Sequence, residues 1–315
     1  MQAEPHGGGL PGQRITELAV LDAMLTTITA SPRGPAAHFG EFWFDMPLPD
    51  GLDPLSAAYR DAVLAQYRLI ARRDYAMESE AHPFDVGTDH DFLSRPWPYN
   101  TGDAAQVGTA LLSVGFILST CRPRRGHRVL EMGAGWGNLA LPLAQMGCAV
   151  TALDIEDRYV RIVRHRAERT DVPLRTLRAA FLDAAEALDG ERFDLVVFNA
   201  AFHRCDDHIA LLRLVHDRLL APGGRLVLAG EPLLEALPYP WGLNPLGEGI
   251  WAIRTFGWLE LVFRPSYLLG ALAATGFDAV LTTCPLTPLG NTIVASRRPA
   301  ARLPAETSQH SASNP

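Results

Sequence analysis

The chain has 315 residues, 48% hydrophobic and 20% charged, enough for one large α/β domain with an appended region or for two small domains. Its formal net charge of −7 argues against nucleic acid as the main substrate, because phosphate neutralisation needs a basic face. The cysteines Cys121, Cys148, Cys205 and Cys284 include no C-x-x-C pair, which removes a zinc knuckle and a redox pair and fits free thiols in a reducing cytoplasm.

Residues 1–13 are rich in Gly and Pro, with no apolar core behind a basic start; they predict a disordered lead-in and no signal peptide. Residues 14–121 predict a mainly helical region that serves as a lid or substrate-binding part. Ile15, Leu18, Leu21 and Leu25 recur at helical spacing, a Pro/Gly/aromatic stretch covers 31–53, and a second helix is expected over 54–75. The irregular stretch 79–101 carries His90, Asp91, Trp97 and Tyr99. The most apolar run, Val107 to Cys121, is interrupted by Gly108, Thr109, Ser113, Gly115 and Ser119, so it predicts a buried helix rather than a membrane span.

After Arg122, strand and helix patterns alternate, which predicts a parallel sheet covered on both faces. The first strand ends in Val129-Leu130-Glu131-Met132 and runs through Gly133-Ala134-Gly135-Trp136-Gly137-Asn138 into a helix. Such a turn brings backbone close to a ligand. The spacing is G-x-G-x-G, not the dinucleotide G-x-G-x-x-G, because Asn138 stands where the third dinucleotide glycine would be. Glu131, two residues before the first glycine, is a poor neighbour for a pyrophosphate. It suits the ammonium and sulfonium of S-adenosylmethionine. No Lys-Ser or Lys-Thr follows, which excludes a P-loop.

A second strand over 149–155 ends on Asp154-Ile155, where an acid can accept ribose hydroxyls and also cap the helix expected over 156–170. A third strand over 174–179 leads into Phe181-Leu182-Asp183. The fourth, over 193–199, ends on Asn199. A helix over 206–220 and the turn Pro222-Gly223-Gly224 precede the fifth, over 225–230. Regularity lapses over 231–258, returns as a helix over 259–275, and ends with strands to about 283 and over 291–295. Residues 298–315 predict a disordered tail.

These motifs, in this order over residues 122–297, resemble the class I S-adenosylmethionine-dependent methyltransferases. The resemblance implies a Rossmann-like, seven-stranded, mostly parallel sheet with helices on both faces, and S-adenosyl-L-methionine as cofactor. It implies cofactor contacts from Glu131, Gly133, Ala134, Gly135, Gly137, Asp154, Ile155, Leu182, Asp183 and Asn199. Tyr99 is expected to cover the methionine end. Asn199-Ala200-Ala201-Phe202 is similar to the N-P-P-Y/F motif of methyltransferases acting on base or glutamine amino groups. Its two prolines are absent, which lowers those substrates.

A hydroxyl acceptor must lose a proton to a group within hydrogen-bond reach. His203, four residues past Asn199, is the expected general base, with Glu231 at the end of the fifth sheet strand as alternative. Asp206 reads as a helix cap, and Asp207 and His208 as first-turn residues or a metal pair. No metal is assigned. The insert 231–262, with Trp241, Trp251, Trp258 and Arg254, reads as a substrate cover. Its wording is similar to that of bacterial methyltransferases associated with glycosyltransferases. The expected acceptor is therefore a small-molecule hydroxyl, on a sugar or glycoconjugate. A polyketide-like metabolite and a non-catalytic partner module are the alternatives.

Overall fold

The computed structural model describes residues 10–47, 49–81, 89–97 and 101–298. The expectations for residues 1–9, for 299–315 and for Tyr99 lie outside the described residues. The N-terminal region starts with a short strand, not a helix. β1 (Gln13–Ile15) pairs in parallel with β2 (Phe42–Phe44), and α1 (Leu18–Thr29) lies between them. Helices α2 (Ala57–Ala71), α3 (Asp89–Ser94) and α4 (Ala104–Cys121) follow.

Runs rich in Val and Leu then build the main sheet. Its strands are β3 (Arg128–Met132), β4 (Ala149–Asp154), β5 (Leu174–Arg178), β6 (Phe193–Asn199) and β7 (Leu220–Ala229), with β10 (Phe277–Thr282) and β11 (Thr292–Arg297). The order is β10-β11-β7-β6-β3-β4-β5, and β11 alone runs against the rest. The expected Pro222-Gly223-Gly224 turn is a bulge inside β7, which pairs with β6 at Leu220 and again from Arg225.

Alternation along each strand splits the core into two faces. Leu130, Val196 and Leu226 point to one side, and Val129, Leu195 and Val227 to the other. Helices α4, α5 (Ala140–Gln145) and α6 (Asp157–Arg169) cover the second side. The first carries α7 (Ala184–Ala187), α8 (His208–Leu214), α10 (Pro265–Ala274) and the N-terminal region. After β3 the chain builds outward to β5, then returns to β6 on the opposite side of β3. The reversal opens a crevice at the C-terminal ends of β3 and β6, the usual ligand position in open α/β sheets.

The stretch after β7 is more regular than its prolines suggest. β8 (Trp241–Leu243) and β9 (Leu261–Phe263) form an antiparallel pair around α9 (Gly247–Phe256). This insert packs on the N-terminal region. Tyr59 donates to Trp241 O at 2.9 Å, Tyr67 donates to Gly257 O at 2.6 Å, and Trp241 Nε1 donates to Pro54 O at 2.8 Å. The expected buried helix is corrected: only Ser113, Ile117 and Cys121 of α4 are buried, because a sheet face covers one stripe of a helix. Leu111 is 55% exposed and Leu112 49%. By length and composition α4 is apolar enough to cross a membrane.

Candidate active site

The three glycines of the β3 turn all have positive φ, each in a different setting. A Cβ on Gly133 would lie 2.6 Å from Cβ of Ala201, and one on Gly137 would lie 2.9 Å from Val163 of α6. Gly135 meets nothing within 4 Å. Two glycines thus allow close packing, and the middle one borders open space. The amides of Gly133 and Ala134 both donate to Leu153 O, which pins the turn to β4.

Asp154 completes that link. Its Oδ2 accepts from Gly135 N at 2.9 Å and its Oδ1 from Glu156 N at 2.9 Å. The carboxylate is buried, and burial raises its pKa to about 6 against the lowering effect of these amides. Glu131 is 1% exposed, and among the described residues its Oε2 has no hydrogen-bond partner. Burial first, and then the nearby Asp154 charge, raise its pKa to about 8. An orphaned carboxylate oxygen at a strand end calls for a donor, and a cationic one lowers the cost most. A ligand carrying an ammonium and a ribose fits these residues. Glu131 can accept from the ammonium, Asp154 keeps lone pairs for hydroxyls, and Gly135 leaves room.

Further round the crevice, Asp183 is exposed at the start of α7, and Leu182 and Asn199 are partly buried. Ile155 follows Asp154, and its carbonyl accepts from Arg178. Phe181 packs edge-on against Phe198, with centroids 5.4 Å apart. Trp136 packs on the N-terminal region: it stacks with Phe92 of α3 and contacts Tyr159 of α6. His90 is exposed, and Asp91 pairs with Arg95.

His203 lies past Asn199, as expected, and is buried within a cluster of charged groups. Glu231 Oε1 accepts from the amides of Ala201 and Phe202, and Oε2 accepts from the amide and ring Nδ1 of His203, all within 3.1 Å. On the other side, His203 Nε2 lies 3.6 Å from Glu260. Burial would lower the His203 pKa, but the bonds to Glu231 and Glu260 outweigh it and raise the value to about 9. The two carboxylates favour the protonated ring, while Arg204 Nε donates to Nε2 at 3.3 Å. Glu231 is occupied as the anchor of the 201–203 backbone. The expected general base His203 and its alternative Glu231 thus stand together as one buried pair.

Arg204 extends the cluster. It bonds Glu260 at 2.8 Å and Glu80 at 3.3 Å, and lies over the Trp258 ring at 4.6 Å. Glu80 also accepts from Leu259 N at 2.6 Å. Burial raises its pKa, Arg204 opposes this, and the value comes to about 7. Glu80, Arg204 and Glu260 escaped the sequence reading. No local pattern marks them, since each meets its partners only through the fold.

Other expected roles move. Asp207, not Asp206, caps α8 through Ala210 N, and it pairs with Arg60. His208 is buried against Trp241 and Phe263, and burial lowers its pKa to about 3. Arg254 bonds Ile70 O and Asp22, so it ties the insert to the N-terminal helices. Trp241 and Trp251 pack against Tyr59 and Phe39 rather than lining an open face.

Residues 130–228 match the family described as "Methyltransferase domain". The chain is 29% identical over 167 residues to a ubiquinone biosynthesis O-methyltransferase of Ruegeria pomeroyi, covering 52% of this chain and 64% of that protein. A protein of the same name from Paramagnetospirillum magneticum is 36% identical over 142 residues, covering 45% of this chain and 52% of that protein. The chain thus spans less than two thirds of the length of these relatives. Among solved structures, the 1,6-didemethyltoxoflavin-N1-methyltransferase of Burkholderia thailandensis aligns with 23% identity and a TM-score of 0.46, over 67% of this chain and 86% of that one. The magnesium protoporphyrin IX methyltransferase of Synechocystis aligns with 16% identity and a TM-score of 0.44, over 63% and 89%.

Proposed function

We propose, on the premise that residues 130–228 form a methyltransferase domain of the class I S-adenosylmethionine-dependent family, that the protein transfers a methyl group from S-adenosyl-L-methionine to a hydroxyl of a small organic acceptor. The observation that carries this reading is the Oε2 of buried Glu131, unpartnered among the described residues, two residues before the glycine turn. When bound, S-adenosyl-L-methionine supplies an electrophilic methyl group. Glu131 receives its ammonium, Asp154 its ribose hydroxyls, and Ile155, Leu182 and Asp183 the adenine. Gly133, Ala134, Gly135 and Gly137 give it close backbone, while Asn199 borders the methionine end.

The buried cluster supports a division of labour on the acceptor side. His203 and Glu231 fix the backbone at the end of β6, which positions the acceptor against the methyl group. Proton removal we assign to His203, which follows the end of β6 and is held through Nδ1 by Glu231, with Glu231 as the alternative. His203→Gln should lower kcat by ~10²–10⁴-fold and leave S-adenosylmethionine binding intact.

The relatives' name supports a hydroxyl as the accepting group. The expected sugar or glycoconjugate loses its aromatic platform, because Trp241 and Trp251 are used in packing. A precursor in ubiquinone biosynthesis, the setting in the relatives' name, is the favoured acceptor, with the sugar as second reading. Calorimetric titration with S-adenosylmethionine tests the donor. Radiolabelled methyl transfer to a catechol and to a monosaccharide then tests the acceptor. Absence of binding by the wild-type chain overturns the whole reading, while label entering only the sugar overturns the acceptor choice.

A further inference from the structure

On the sheet face opposite the insert, α5 has six residues, between the 18 residues of α4 and the 13 of α6. The short middle helix leaves a groove of about 400 Å³ above it. That volume lies in the range of small-molecule sites, ~300–1,000 Å³. Trp97, Leu111, Val114, Leu141 and Pro142 give the groove apolar walls. Arg166 and Arg169 of α6 face it from one side.

The arginines of α6 fall into two kinds. Arg158 and Arg161 pair with Asp89 and Asp157. Arg166 donates only to neutral groups, the carbonyl of Trp136 and Oδ1 of Asn138. Among the described residues neither Arg166 nor Arg169 has a carboxylate within ion-pair distance, although the chain carries a net charge of −7. Burial lowers the Arg166 pKa to about 10, with no acid opposing the shift. A desolvated guanidinium without a counter-ion is costly, and a planar oxyanion is its best complement. The apolar walls require that this anion carry hydrocarbon.

We propose that the groove over α5 binds an organic carboxylate, its hydrocarbon part on Trp97, Leu111, Val114 and Leu141 and its carboxylate on Arg166 and Arg169. The groove adjoins the glycine turn through Asn138 and Arg166, and its occupancy does not depend on the reading of the donor. Decanoate is the probe, with decanol and acetate as its tail-only and head-only counterparts, each titrated into the full chain below micelle-forming concentration. Saturable one-to-one binding of decanoate is expected, at least tenfold tighter than either counterpart. Arg169→Ala and Leu111→Asp, both at exposed positions, should each weaken it at least fivefold, whereas Arg161→Ala, outside the groove, should not. The proposal is overturned by no saturable binding, by decanol binding as well as decanoate, or by both groove variants binding like wild type.

Discussion

The proposed donor crevice and the proposed acceptor-side cluster lie at strand ends of the same sheet but are built on different plans. The crevice is made of near neighbours in sequence. Glu131, the three glycines and Asp154 lie within two consecutive β–α units, and their links are mostly backbone amides to carbonyls or to one carboxylate. The cluster joins long side chains from four separate segments: Glu80, His203 with Arg204, Glu231, and Glu260. One plan leaves a carboxylate oxygen waiting for a ligand. The other neutralises its charges internally. A site that must accept a cation keeps a cost in the free protein, and a site that must hold geometry does not.

Substitutions can break or sharpen this contrast. The largest effect should come from Glu231→Ala. It leaves a buried imidazolium and three amides without their acceptor and should cost about 3–5 kcal/mol in urea unfolding. A loss under 1 kcal/mol would show that the cluster does not hold the acceptor side together. Next, Asp154→Ala should weaken S-adenosylmethionine about 100-fold in calorimetry, from lost charge-assisted hydrogen bonds, with a smaller effect on unfolding.

A smaller effect concerns pH. Glu131 must ionise to meet an ammonium, and its pKa in the free protein is about 8. Cofactor affinity should therefore fall about tenfold per unit as pH drops from 8 towards 6. Glu131→Gln should bind weakly with a flat profile, and a steep profile in that variant would place the titration elsewhere. The smallest effect is on His203. Its pKa is raised from 6.5 to about 9, so its contribution to stability is complete below 6.5 and is lost as pH rises through 9. Chemical unfolding at pH 7 and pH 10 should show that loss in the wild type and not in His203→Gln.

The same contrast explains what was readable in the sequence. The glycine turn and Asp154 could be read because their roles follow from spacing along the chain. Strands β3, β4, β6 and β7 could be read because each carries an apolar run long enough to stand out. β1, β2, β8 and β9 are three residues each and take their pairing from distant segments, so no local pattern marks them. The position of His203 was visible, but its charge was not, since that depends on Glu231 and Glu260 arriving from other elements. The tryptophans of the insert looked like a ligand surface because composition does not tell a stacking platform from a packing contact.

The tyrosine hydroxyls that tie α2 to the insert also set an order of assembly. Tyr59 and Tyr67 find their acceptors only at Trp241 and Gly257, and Ile70 O receives Arg254. During synthesis, residues 13–71 emerge first but wait for residue 257 before these contacts can close. The strands from β3 to β7 can pair in that interval, because they use no part of the insert. Such long-range closure slows folding, and the apolar faces of α1 and α2 stay uncovered meanwhile. The contacts of residues 13–71 with the insert therefore close only after residue 257 has been made.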